Sequence, residues 1–419
     1  MPADARTTVE AVWRIESARL VAGLARLVRD VGVAEDLAQD ALVAALEVWP
    51  RTGVPDNPGA WLMATAKNRA IDLARRAQTY ERKQEEIAHE LGILMAMDGA
   101  DLAAAADDQI GDDLLALMFT CCHPSLSTEA RVALTLRLLG GLTTAEIARA
   151  FLVGEPTVAQ RLTRAKRTLR EARADFEVPA GPALRTRLPD VPEVVYLIFN
   201  EGYAASSGEH WVRTELCEEA LRLGRILAEL APAEPEAHGL IALLEIQASR
   251  LNARLGPDGE PVLLLDQDRS RWDPLLIARG LTALKHAEDL PAPLGPYGLQ
   301  AAIAACHARA LEPDDTDWVR IAALYEALGA LSPSPVVELN QAVAVGMAFG
   351  PETGLALLER IAAEPALRDY HLLPSVRADL LARLDRGPEA AAEFRRAAEL
   401  TENEAERALL LRRASEAEG

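Results

Sequence analysis

The chain has 419 residues, half of them hydrophobic, with a net charge of −20, four cysteines and only 4% aromatic residues. So few cysteines in so long a chain exclude a disulfide-stapled secreted scaffold, and no apolar run approaches a membrane span. Leu, Ala, Glu and Arg dominate over β-branched residues, so the expectation is an all-α, cytoplasmic protein of two to three domains with no membrane association.

The acid is unevenly placed. Residues 1–187 carry 23 Lys or Arg against 26 Asp or Glu, whereas residues 188–419 carry 21 against 38, which predicts a division of labour between the halves. The opening MPADARTTVEAVWRIE is charged throughout and has no apolar signal segment.

Val9, Val12, Trp13, Leu20, Leu24, Leu27 and Val28 keep helical spacing over residues 7–30, with Gly32 expected to end the helix. A second helix is expected over 34–49, with Leu37, Ala41, Ala44, Ala45 and Val48 inside and Asp36, Gln39, Asp40, Val43 and Glu47 on a narrower opposite arc. Such a carboxylate cluster reads either as a solvated face or as a docking patch for a basic partner helix.

Residues 50–59, PRTGVPDNPG, read as a loop; Asn57 suits an N-cap and Pro58 the first helical position. The helix expected over 60–76 puts Leu62, Met63, Ala66, Ala70 and Leu73 on one side and Thr65, Asn68, Arg69, Asp72, Arg75 and Arg76 on the other, beside Trp61. An aromatic next to Asn and Arg on an exposed face suits stacking on unpaired bases. The alternative is that Trp61 packs under the preceding loop.

Residues 84–127 contain no Lys or Arg but nine Asp or Glu, an acidic connector with a helix expected over 113–120. Cys121-Cys122-His123 lies in it without any CxxC pattern, so buried free thiols are expected and no metal or other cofactor.

Thr128 to Leu139 reads as an apolar-striped helix leading into LGGLTTAEIARAFLVGEPTVAQRLTRAKRTLREAR. Thr143 and Glu146 have the spacing of a capping box, with Leu142 and Ile147 placed for a hydrophobic staple. Gly154 permits a bend and Pro156 suits the first turn of the next helix. There Val158, Leu162, Ala165 and Leu169 share one side; Thr157, Gln160, Arg164 and Arg167 share the other, with Arg161 at the margin. Two helices joined by a short turn, the second basic on its open face, describe a helix-turn-helix whose arginines hold phosphates while Thr157, Gln160 and Arg161 reach base edges. An ordinary helical hairpin with a solvated charged face has the same pattern.

EVPAGPALRTRLPDVPEV, after Phe176, reads as a stiff, helix-poor linker. Beyond it, residues 215–250, 319–345 and 377–400 each read as a helix pair with a Pro-marked turn, a tetratricopeptide-like style that presents a concave face to a protein ligand. Gly202-Tyr203 and Glu209-His210-Trp211 are expected to pack, not to catalyse. No GxxxxGK[ST], GxGxxG or HExxH pattern and no nucleophile elbow occurs, so no enzyme is expected.

AEDLAQDALVAALEVW, NPGAWLMATAKNRAIDLARR and GLTTAEIARAFLVGEPTVAQRLTRAKRTLRE together resemble, in order and spacing, the two modules of a bacterial sigma factor of the extracytoplasmic-function class. DDLLALMFTCCHPSL and the long extension resemble the subgroup with a tetratricopeptide-like C-terminal region. The resemblance implies two small helical modules plus a helical-repeat domain: 1–83 for core polymerase and the −10 element, 84–127 an acidic linker, 128–177 a helix-turn-helix for the −35 element, 178–192 a Pro-rich linker and 193–419 the repeat domain. It implies that Asp36, Gln39 and Asp40 meet the β′ clamp helices of RNA polymerase core. It assigns Asp56, Asn57, Trp61, Thr65, Asn68, Arg69, Asp72 and Arg76 to −10 promoter DNA, and Glu155, Pro156, Thr157, Gln160, Arg161, Arg164 and Arg167 to −35 promoter DNA. Many relatives have Ser where this chain has Gly154. The function implied is promoter-specific transcription initiation, modulated by the chain's own C-terminal domain. A helix-turn-helix regulator with a partner-sensing repeat domain is the alternative, and it leaves residues 1–76 and the acidic connector without a role.

Overall fold

The computed structural model describes residues 2–78, 106–151, 153–179, 182–204, 212–257 and 259–418. The chain divides into two compact units, Met1–Val195 and Tyr196–Gly419. Helices are the regular elements of the described residues, with one isolated β-bridge between Leu255 and Pro261. Among them no helix is long and apolar enough to cross a membrane.

In the first unit α1 (Pro2–Val28) packs along α2 (Val31–Thr52), and α3 (Pro58–Gln78) crosses both. Leu20, Leu24, Leu37, Ala41 and Leu62 form the shared interior, each at most 3% exposed. Gly32 does not end α1. Arg29 does so, in the left-handed region at φ 53°, and Asp30 then caps α2 by accepting the N–H groups of Gly32 and Val33 at 2.8 and 3.1 Å. Gly32 lies inside the first turn of α2 instead, where a Cβ would come within 3.0 Å of the Asp30 carboxylate. Pro50 to Thr52 continue α2 instead of starting the loop. Val48, expected inside, is 37% exposed, because α2 buries a narrower stripe that ends on Trp49. Asn57 caps α3 as expected: its Oδ1 accepts the Ala60 N–H at 3.0 Å.

Residues 84–105 of the acidic connector lie outside the described residues. The connector's helix is longer than expected: α4 spans Ala106–Cys121, and Leu114 to Phe119 are all buried against α1. Arg26 of α1 pairs with Asp113 of α4 at 3.2 Å. Three small helices follow: α5 (Thr128–Leu138), α6 (Thr144–Ala150) and α7 (Glu155–Glu171). The next stretch is not helix-poor. Pro182 and Pro192 sit in the first turns of α8 (Pro182–Arg187) and α9 (Asp190–Tyr203), where a missing N–H costs nothing. Arg187 donates to the Phe119 carbonyl at 2.5 Å and Arg131 pairs with Asp190 at 3.3 Å, so this stretch is fastened to α4 and α5.

The second unit is a succession of antiparallel helix pairs. α10 (Thr214–Leu230) packs on α11 (Pro235–Ala248), which also carries α12 (Pro274–Asp289) and α13 (Pro296–Arg309). α14 (Trp318–Leu331) and α15 (Pro335–Phe349) form the next pair, followed by α16 (Pro351–Ile361) and α17 (Leu372–Ala382), then α18 (Gly387–Leu400) and α19 (Glu404–Glu418). Four core clusters follow one another along the chain, each built from helices adjacent in sequence. A core of that kind exists only through stacking of neighbours. Small residues set the spacing: a Cβ on Gly239 would meet the Gly298 backbone at 2.6 Å, and one on Gly354 the Ala342 carbonyl at 2.7 Å.

Candidate nucleic-acid interface

The helix-turn-helix is built from local signals. Ser127 caps α5 by accepting the Ala130 N–H at 3.4 Å. Thr143 and Glu146 form the capping box of α6: the Thr143 N–H donates to the Glu146 carboxylate at 2.7 Å, and the Glu146 N–H to the Thr143 hydroxyl at 3.1 Å. Arg137 ties α5 to the following turn by donating to the Leu142 carbonyl at 3.0 Å.

α7 buries Val158, Leu162, Ala165 and Leu169 and no other side chain, the stripe its sequence predicts. Each fully buried Val or Leu of this kind contributes roughly 1.5–3 kcal/mol, which anchors the helix by one face and leaves the rest free. Glu155, Pro156, Thr157, Gln160, Arg164 and Arg167 are exposed, and Arg161 is half-buried at the margin. Gly154 does not supply a left-handed bend; at φ −69° and ψ 143° it is an ordinary N-cap that lacks a side chain to cap with.

The basic residues of α7 divide into two sets. Arg161, Arg164 and Arg167 lie on or beside the open side. Lys166 and Arg170 turn back to α2. Arg170 donates to Asp30 at 2.6 Å, and Lys166 stands 2.5 Å from Oε2 of Glu35, an ion contact off the hydrogen-bond direction. The other oxygen of Glu35 accepts from Arg137 at 2.6 Å. Glu35 is only 5% exposed, so two cations compensate one buried carboxylate. Burial alone would raise the Asp30 carboxyl; its bonds to Arg170, Val33 and Gly32 outweigh that and hold it below the usual value. Local periodicity gives no sign of these contacts. The one available clue was Glu35 itself, an acid at a position flanked by buried Ala34 and Leu37.

On α3, Trp61 is half-buried, between the two expected placements: its ring meets that of buried Trp49 edge-on at 5.4 Å. Asp56, Asn57 and Asn68 are exposed, and the half-buried Thr65 donates its hydroxyl proton to the Trp61 carbonyl at 2.8 Å. Arg69 pairs with Asp40 of α2 at 3.1 Å, which joins two patches read separately in the sequence. Asp72 and Arg76 belong to α3, and their side chains lie outside those described. Asp36 and Asp40 are exposed and Gln39 half-buried, in line with Val43 and Leu46, which are 49% and 38% exposed. The α2 face is therefore mixed, acidic and apolar, not simply a solvated charge cluster.

All four cysteines are buried free thiols, and burial pushes Cys122 up to about 12. Among the described residues no group of His, Cys, Asp and Glu has the arrangement of a metal site.

A helical module with a mixed acidic and apolar face, followed by a helix-turn-helix with an open basic side, defines a two-module DNA-binding protein. The comparisons agree. Residues 15–80 match the family model described as Sigma-70 region 2, residues 116–169 match Sigma-70 region 4, and residues 187–288 match a family of unknown function, DUF6596. A Rhizobium meliloti (strain 1021) protein described as uncharacterized is 43% identical over 92% of this chain and 90% of its own length. The ECF RNA polymerase sigma factor SigK of Mycobacterium bovis (strain BCG / Pasteur 1173P2) is 30% identical over 35% of this chain and 74% of its own length. The probable ECF RNA polymerase sigma factor SigI of Mycobacterium tuberculosis (strain CDC 1551 / Oshkosh) is 31% identical over 43% of this chain, which spans 60% of that relative. No solved structure matches the chain. The chain belongs to the ECF sigma factor family, whose members are transcription-initiation factors and not enzymes.

Proposed function

We propose that this sigma factor joins RNA polymerase core in the cytoplasm and directs it to promoters recognised at two separate elements. The observation that carries the reading is α7: one apolar stripe holds it down, and an open side bearing Thr157, Gln160, Arg164 and Arg167 faces away. In this reading Glu155, Pro156, Thr157, Gln160 and Arg161 read the edges of paired bases at the −35 element, with Arg164 and Arg167 on phosphates. The loop before α3, with Trp61, Thr65, Asn68, Arg69, Asp72 and Arg76, holds the −10 element; Trp61 leaves its edge contact with Trp49 to stack on a parted base. Asp36, Gln39 and Asp40, with exposed Val43 and Leu46 beside them, meet the β′ clamp helices. Co-purification with core polymerase tests this: wild type is retained, and Asp36→Arg with Asp40→Arg is lost. Retention of the double variant contradicts the docking face.

The tetratricopeptide-like second half, which holds most of the net negative charge, is proposed to control the two DNA modules from within the chain, alone or through a protein ligand. Deletion of residues 188–419 tests that. A changed transcription output supports control, and an unchanged output removes it.

A further inference from the structure

Among the described residues, the second unit contains a long irregular segment. From Ser249 to Asp273 the described chain has no α-helix, only single 3-10 turns at 251–253, 264–266 and 269–271. Its ends are held together, the Asp273 N–H donating to the Ser249 carbonyl at 2.8 Å. Loops this long inside a compact domain are uncommon, and ordered ones usually carry a site.

This segment turns cations inward. Arg250 is 6% exposed, its guanidinium lies 5.7 Å from the Tyr203 ring centroid and 5.6 Å from that of Trp272, and its Nε has no hydrogen-bond partner. Arg269 stacks on the same Trp272 ring at 4.9 Å and donates through Nη1 to the carbonyls of His307 and Ala310, while its Nε is also unpartnered. Trp272 and His307, 5% and 7% exposed, add two more orphans, the indole Nε1 and the imidazole Nδ1. Among the described residues, burial acts most on Arg250, followed by Tyr203, Arg254, Arg269 and Tyr325, which are cations and phenols. Burial and the charges of Arg250 and Arg269 hold His307 neutral, down to about 4. A buried guanidinium with no carboxylate partner among the described residues is expensive, and buried donors left unmade call for a partner.

We propose that Arg250, Arg269, Trp272 and His307 form a binding site for a small oxyanion, the carboxylate or phosphate group of an effector, with Arg250 as its principal charge partner and the indole N–H of Trp272 as a further donor. Guanidinium groups suit this chemistry because their fork matches both oxyanions. The site gives the second unit a ligand-sensing role that does not depend on DNA or polymerase. Residues 205–211 and Asp258 lie outside the described residues.

Isothermal titration of the full chain at constant ionic strength, with inorganic phosphate in one arm and acetate in the other, tests the proposal. Saturable binding of either is expected, and the tighter arm names the class of effector group. Arg250→Gln is expected to weaken it by about tenfold or more, the loss of a charged hydrogen bond, and Arg250→Lys to restore part of it. If Arg250→Gln loses its helical circular dichroism, Trp272→Phe takes its place: it keeps the ring and removes the unmade N–H, and weaker binding is expected. No saturable binding by the wild type, or equal binding by a folded Arg250→Gln or Trp272→Phe chain, overturns the site.

Discussion

Arg170 Nε donates to Asp30 Oδ2 at 2.6 Å, joining the last turn of α7 to the cap of α2 across 140 residues of sequence. With the Lys166–Glu35–Arg137 group beside it, this contact fixes which side of α7 faces inward. Arg164 and Arg167 are left on the open side because the neighbouring cations are already engaged.

Glu35 carries the larger share of that fastening. Replacing it by Ala leaves Arg137 and Lys166, 17% and 22% exposed in their side chains, facing each other without an anion. The expected cost is about 2 kcal/mol or more, read as a lower denaturation midpoint of the first unit. Glu35→Gln keeps the shape but not the charge, and is expected to cost less.

Asp30 makes the fastening acid-sensitive. Its folded carboxyl titrates below its unfolded value near 3.8, so its contribution is complete above that value and is lost as pH falls through the lower folded value. Urea unfolding across the range from about pH 5 down to pH 3 measures the loss, and Asp30→Asn is expected to flatten it.

Gly154 is a cap without a capping group. A Cβ there meets only Pro156 Cδ at 3.6 Å and Thr157 Oγ1 at 3.9 Å, ordinary contacts. Gly154→Ser is expected to stabilise the first unit by a few tenths of a kcal/mol, measured by thermal unfolding, with DNA affinity preserved.

Arg164 and Arg167 are assigned to phosphates. Arg164→Gln and Arg167→Gln are each expected to weaken duplex binding about equally across sequences and to reduce the log–log salt slope by ~1. Gln160→Ala is expected to relax sequence preference instead. Fluorescence anisotropy at several salt concentrations separates the two effects.

The stripe of α7, the capping box of α6, the Asn57 cap and the helix pairs of the second unit were all legible, because each is a local pattern with its own physical cause. The end of α1 was misread because Gly is the usual terminator; here Arg29 takes the left-handed position and Gly32 sits inside α2, where the Asp30 carboxylate comes close. The prolines after Phe176 were read as breakers, yet Pro182 and Pro192 occupy first helical turns, where they are tolerated. Glu35, Arg250 and His307 were missed altogether. A buried charge and a solvated one look alike until the fold brings distant segments together.

Reconstituted transcription with core polymerase, without any other sigma factor, tests the central claim most directly. The account predicts initiation at discrete promoters, reduced by Trp61→Ala and by Gln160→Ala with Arg164→Ala. Duplex binding without any initiation would contradict it, and would leave an operator-binding regulator in its place.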